Sequence, residues 1–140
     1  MKKKYLFVLT AALGLFVVQD AYTNSGGAPT GASGSPASNG NGCDRPGCHN
    51  GPAAAGQTVS ISTDIPSTGF MEDSVYSITI TADNNGTGTD RMGFSASVES
   101  ASGHEGTIQV SNSSRTRKTG NYITHTSSGI SGTSGVNTWT

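Results

Sequence analysis

The clearest order in the chain is an alternation of apolar and hydroxyl-bearing residues. In Thr58–Thr63, Val59 and Ile61 alternate with Ser60 and Ser62. Over 75–82, Tyr76, Ile78 and Ile80 share one parity and Ser77, Thr79 and Thr81 the other. Over 91–99, Met92, Phe94, Ala96 and Val98 alternate with Gly93, Ser95 and Ser97. Ile108 and Val110 repeat the habit around Gln109, and shorter runs occupy 122–126 and 136–140. Successive side chains of a strand point to opposite faces, so this period of two predicts half-buried antiparallel strands. Turn-forming residues separate the runs: Pro66-Ser67-Thr68-Gly69, Asn84-Asn85-Gly86, Ser102-Gly103 and Ser128-Gly129. No stretch beyond residue 22 carries a sustained 3.6-residue apolar stripe. The pattern predicts an all-β fold, six strands in a sandwich with little or no helix. Trp139, the lone tryptophan, is a natural core plug. Residues 137–140 read as the middle of a strand with nothing after them to close the sheet. The expectation is a C-terminally incomplete domain, or one completed by another chain.

The first residues follow a different rule. Lys2, Lys3 and Lys4 precede an uncharged, mostly apolar run from Tyr5 to Val18, which Asp20 ends. A bilayer span needs roughly 20 apolar residues, so the run reads as a secretory signal peptide over 1–21, with no transmembrane span in the mature chain. Every residue of 24–42 is Asn, Ser, Gly, Ala, Pro or Thr. Side chains so small and polar predict a flexible, disordered arm over 22–56, ahead of the β domain at 57–140.

Charge narrows the partners. Removing residues 1–21 takes three of the eight basic and one of the nine acidic residues, which leaves a formal charge of −3. No basic patch remains to neutralise phosphates, so nucleic acid is not an expected partner. Arg115, Arg117 and Lys118 form a short basic run that reads as a solvated loop.

One cluster is dense in reactive side chains: Cys43-Asp44-Arg45-Pro46-Gly47-Cys48-His49. Two thiols followed at once by an imidazole suit covalent attachment of a c-type haem. The thiols add to the two vinyl groups and His49 becomes the proximal iron ligand. Four residues separate the cysteines where two are usual, and Pro46-Gly47 supplies a turn for the added length. The alternatives are a Cys43–Cys48 disulfide, natural in an oxidising compartment, and a zinc or other metal site. A haem would draw a second axial ligand from His104, His125 or Met92. Of these, His125 is the candidate distal ligand, His104 reads as a solvated loop residue, and Met92 as packing. Oxygen-bearing residues over Asp83–Asp90 resemble a calcium loop, although Asn85-Gly86 equally suits a tight hairpin turn. No enzyme signature emerges, and the carboxylates are scattered.

Several segments resemble, in order, those of a known family. They are Ser25-Gly26-Gly27-Ala28-Pro29-Thr30-Gly31, Cys48-His49-Asn50-Gly51, Tyr76–Thr81, Gly93-Phe94, Gly106-Thr107, Tyr122–Thr126 and Trp139-Thr140. Together they are similar to exported Bacteroidetes-type surface proteins with a Reeler-like, choice-of-anchor domain, over residues 25–140. The resemblance implies an immunoglobulin-like antiparallel β-sandwich on a secreted, surface-associated protein. It also implies further strands after the tryptophan and a two-residue cysteine spacing, from which Asp44-Arg45-Pro46-Gly47 departs. The Reeler class spans adhesion modules and a domain of ferric reductases, and fold alone does not choose between them. Two functions follow as expectations. One is electron carriage at the cell surface by a haem on Cys43, Cys48 and His49, with redox partners. The other is non-catalytic adhesion to surface proteins, with Cys43–Cys48 as a small disulfide.

Overall fold

The computed structural model describes residues 24–43, 56–87 and 90–140. Among them the period-two runs become strands: β1 (Thr58–Thr63), β2 (Ile78–Asp83), β3 (Ser95–Ser97), β4 (Glu99–Ser100), β5 (Gly103–His104), β6 (Thr116–Thr119), β7 (Tyr122–His125) and β8 (Val136–Trp139). All pairings are antiparallel, in sheets ordered β1-β2-β8, β3-β7-β6 and β4-β5. The fold is all-β. Its helical content among the described residues is one turn of 3-10 helix, Pro36–Ser38.

Pairing fixes which residues share a face. Val59 lies opposite Ala82, Ile61 opposite Ile80, and Ile80 opposite Trp139. Directly opposed residues project to the same side, so these five form one apolar face. Ile80, Ala82 and Trp139 are buried, and Met92, Phe94 and Ala96 pack against them from the chain leading into β3. The Phe94 and Trp139 rings lie 4.8 Å apart at 44°, a tilted aromatic arrangement that adds to area burial. The indole N–H of Trp139 donates to the Gly129 carbonyl at 2.8 Å. Buried Asn137 donates to the same carbonyl at 2.9 Å and to the Met92 carbonyl at 3.2 Å. The core is small, and its polar atoms are hydrogen-bonded rather than excluded, as burial demands.

The structure departs from the sequence pattern in four places. Ile108 and Val110 are half-buried but join no strand. The basic run is not a loop, because Thr116–Thr119 forms β6 and pairs with β7. Asn84–Thr87 is a tight turn with φ of 49° at Asn85 and 71° at Gly86, closed by Thr87 N–H on the Asn84 carbonyl at 2.9 Å. It makes no hairpin, since β2 is already flanked by β1 and β8. The fourth correction concerns the arm. Residues 24–43 are not disordered. Ala28, Ala32 and Ser38 are buried, and the segment lies along the β3-β7-β6 sheet. Small side chains were the reason to expect a linker. They are also what allows a backbone to lie flat on a sheet. At Gly27, with φ of 123°, an added Cβ would sit 2.6 Å from the His125 carbonyl oxygen and 2.7 Å from Nε of Arg117.

Candidate functional site

The docked arm and the sheet beneath it create one cluster of titratable and hydroxyl side chains. Glu99 is its centre. Ser35 Oγ donates to Glu99 Oε1 at 2.5 Å, and Ser97 Oγ donates to the same oxygen. The backbone N–H of Ala37 donates to Oε2 at 3.0 Å. His104 Nδ1 stands 3.8 Å from Oε1, and only 10% of the Glu99 side chain remains exposed. The Ser35 and Ser97 hydroxyls hold the Glu99 carboxyl below its ordinary value; desolvation opposes them, and the Ala37 amide and His104 add smaller lowering effects.

Further hydroxyls extend the cluster. Ser33 bonds Ser35 at 2.7 Å and Ser38 at 2.6 Å. Ser38 donates to the Tyr122 hydroxyl at 3.4 Å. His104 meets the Tyr122 ring edge-on, with centroids 5.0 Å apart. The depression beside His104, lined by Glu105, Ile108, Lys118 and Asn121, offers about 10 Å³, room for one water. Chemically, the cluster is suited to holding the arm in place, since the serine hydroxyls and the Ala37 amide are turned toward the Glu99 carboxylate, while the buried His104 Nδ1 makes no hydrogen bond among the described residues.

A second set of contacts anchors the arm upstream. The Ala28 N–H donates to Thr124 Oγ1 at 2.9 Å, while that hydroxyl donates to the Phe94 carbonyl at 2.6 Å. Arg117 Nε donates to the Gly26 carbonyl at 2.8 Å. His125 is buried, and both its ring nitrogens meet backbone. Nδ1 lies 3.0 Å from the Phe94 N–H and 3.1 Å from the Phe94 carbonyl, and Nε2 faces the Asn24 carbonyl at 3.3 Å. To ligate an iron, His125 would have to give up one of these bonds. Met92 packs against the core.

Cys43 lies on the docked arm. Its thiol is half-buried, with Sγ 3.6 Å from the Ala32 carbonyl. Cys48 and His49 lie outside the described residues. In the Asp83–Asp90 segment, Asp83 Oδ1 accepts the Asn85 N–H at 2.7 Å and Asn84 Oδ1 the Gly86 N–H at 2.8 Å. Asp90 Oδ1 lies 3.4 Å from Asn84 Nδ2. Those oxygens are engaged within the turn. Among the described residues, no three His, Cys, Asp or Glu side chains gather where a metal ion could be held. Nor is any described helix long and apolar enough to cross a membrane.

Sequence reasoning missed Glu99 and its serines. Ser35 and Glu99 are 64 residues apart, and neither belongs to a motif. The one available signal was the density of Ser in 33–38, which reads equally as linker composition.

The fold and site define an all-β protein in which residues 24–43, Cys43 among them, are clamped onto a sheet. Comparison with family models, curated proteins and solved structures finds no match to the chain.

Proposed function

We propose that this chain is an exported, surface-associated module, an immunoglobulin-like β-sandwich of Reeler-like kind, that carries one c-type haem and serves in electron carriage. The observation that carries this reading is the pair of thiols with an adjacent imidazole, Cys43, Cys48 and His49. Cys43 is half-buried rather than enclosed, and the arm that bears it is held by the Glu99 cluster. Cys43 and Cys48 would form the thioether links: each S–H adds across a vinyl group, with no net oxidation. His49 would be the proximal ligand, and the bound haem would supply one-electron chemistry. Lys2–Lys4 and the apolar run to Val18 support export, and haem of this type is attached outside the cytoplasm.

The test is the mass and visible spectrum of the chain produced with a c-type haem maturation system. The expected result is a mass gain of one haem with a Soret band, both lost in Cys43→Ser and Cys48→Ser. A mass two hydrogens below the reduced chain, with no Soret band, would overturn it. That outcome would mean a Cys43–Cys48 disulfide and a non-catalytic binding module.

A further inference from the structure

We propose that the outer edge of β1 receives an extended, cationic strand of a partner protein, added as a further strand to the β1-β2-β8 sheet. β1 closes that sheet on one side, and among the described residues nothing pairs with its far edge. It runs six residues in unbroken register with β2 and contains no charge and no proline. Folded proteins ordinarily blunt such an edge with lysine, proline or a bulge, because its unpaired N–H and C=O groups are a template for another strand. The β6 and β8 edges are blunted. β6 carries Arg117 and Lys118, and the Arg115 guanidinium reaches across β8 to the Asn137 side chain and the Thr138 carbonyl.

The apolar face points the same way. Val59 and Ile61 continue the face of Ile80, Ala82 and Trp139, yet remain 69% and 68% exposed. An added strand would set its own alternate apolar residues beside them, the usual geometry of strand addition.

Charge selects the occupant. Residues 56–87 contain Asp64, Glu72, Asp73 and Asp83 and no Lys, Arg or His. Two of these carboxylates lie near the ends of β1, one directly after it and one a strand further in, on β2. Asp64 follows the last residue of β1, and Asp83 lies opposite the first, Thr58. Each is fixed by a backbone amide, Ser77 N–H on Asp64 at 2.8 Å and Asn85 N–H on Asp83 at 2.7 Å. A second copy of β1 would bring a like set of acids to the seam. A strand of alternating apolar and hydroxyl residues with a basic residue at each end would place opposite charges at both.

The probe is a synthetic peptide of alternating valine and threonine with lysine at both ends, compared with the same peptide ending in glutamate. Calorimetric titration of the purified chain gives affinity, and amide NMR shifts give the site. The expected result is binding of the lysine peptide with shifts in Thr58–Thr63, and binding of the glutamate peptide weaker by roughly tenfold at low salt. Asp64→Asn with Asp83→Asn keeps both amide acceptors and should remove that preference and its salt dependence. Val59→Lys, at an exposed position, should abolish binding while the circular dichroism spectrum stays unchanged. Absence of binding, equal affinity for the two peptides, or shifts elsewhere would overturn the proposal. So would a concentration-dependent dimer through β1, removed by Val59→Lys.

Discussion

The carboxylate of Glu99 accepts the backbone amide of Ala37 at 3.0 Å, joining residues 62 apart in the chain. One side chain of β4 thereby holds the arm that leads to Cys43. Because Ser35, Ser97 and Ala37 all donate to it, the bond set exists only while the carboxyl is ionised or replaced by another acceptor. Glu99→Gln keeps one acceptor oxygen but turns an NH2 donor toward either the two serines or the Ala37 amide, so it should loosen residues 33–41. Hydrogen exchange of the Ala37 and Gly40 amides should accelerate while the amides of β2 and β7 keep their protection. Unchanged exchange at Ala37 would remove Glu99 from this role.

The same carboxyl gives the arm a pH dependence. Its folded value is lowered from 4.5, first by the Ser35 hydroxyl and then by Ser97. The unfolded state therefore binds the proton more readily than the folded one. The stabilisation is complete above the ordinary value and is lost as pH falls through the lowered one. Hydrogen exchange of residues 33–41, corrected for intrinsic rates, should rise as pH drops below 4.5, and the rise should be absent in Glu99→Gln. An arm equally protected at neutral and acid pH would contradict the assignment.

Gly93 and His125 test the second anchor. A Cβ at position 93 would lie 2.9 Å from Nε2 of the His125 ring and closer still to Cε1. The ring cannot turn aside without breaking its bonds to Phe94 and Asn24. Gly93→Ala should therefore destabilise the fold by about 1–3 kcal/mol, the range for overpacking, measured by urea unfolding. Gly31→Ala is a contrasting control. At that site the added Cβ meets nothing within 4 Å, although φ is 72°. The loss there should reflect backbone strain alone, about 1–2 kcal/mol.

Much of the sheet was legible from alternation, and the reason the rest was not is specific. β1, β2, β7 and β8 put apolar residues on one face, so period two marks them. β6 reads Thr-Arg-Lys-Thr and has no such face. It is recognisable only through its ladder with β7, a property of two segments rather than one. Ile108 and Val110 show the converse, since alternation without a partner strand makes no sheet. For the candidate site, the cysteine motif was visible because its members are adjacent in sequence. The Glu99 cluster was not, because its members meet only after the arm folds back. The packing of the arm leaves no apolar signature, because Ala28, Ala32 and Ser38 are buried by close backbone approach rather than by large apolar side chains.

The carbonyl of Gly129 offers a sharper test of the core than any single deletion. It accepts from both Trp139 Nε1 and Asn137 Nδ2, at 2.8 and 2.9 Å. Trp139→Phe removes one donor and some apolar area, but Asn137 still satisfies the carbonyl. Asn137→Ala removes the other, and the indole remains. It also releases the Met92 carbonyl and the Arg115 guanidinium, so about 1–3 kcal/mol of loss is expected for that single change. Only the double variant leaves the Gly129 oxygen without either donor. An orphaned buried acceptor costs about 1–3 kcal/mol, so the double variant should lose more than the sum of the singles. The coupling should fall within the roughly 0.5–3 kcal/mol seen for residues sharing a network. Urea unfolding of the four proteins, followed by circular dichroism because one change removes the tryptophan, completes the cycle. Strict additivity would mean that the carbonyl finds water when its donors leave, and that the end of β8 is wetter than its burial indicates.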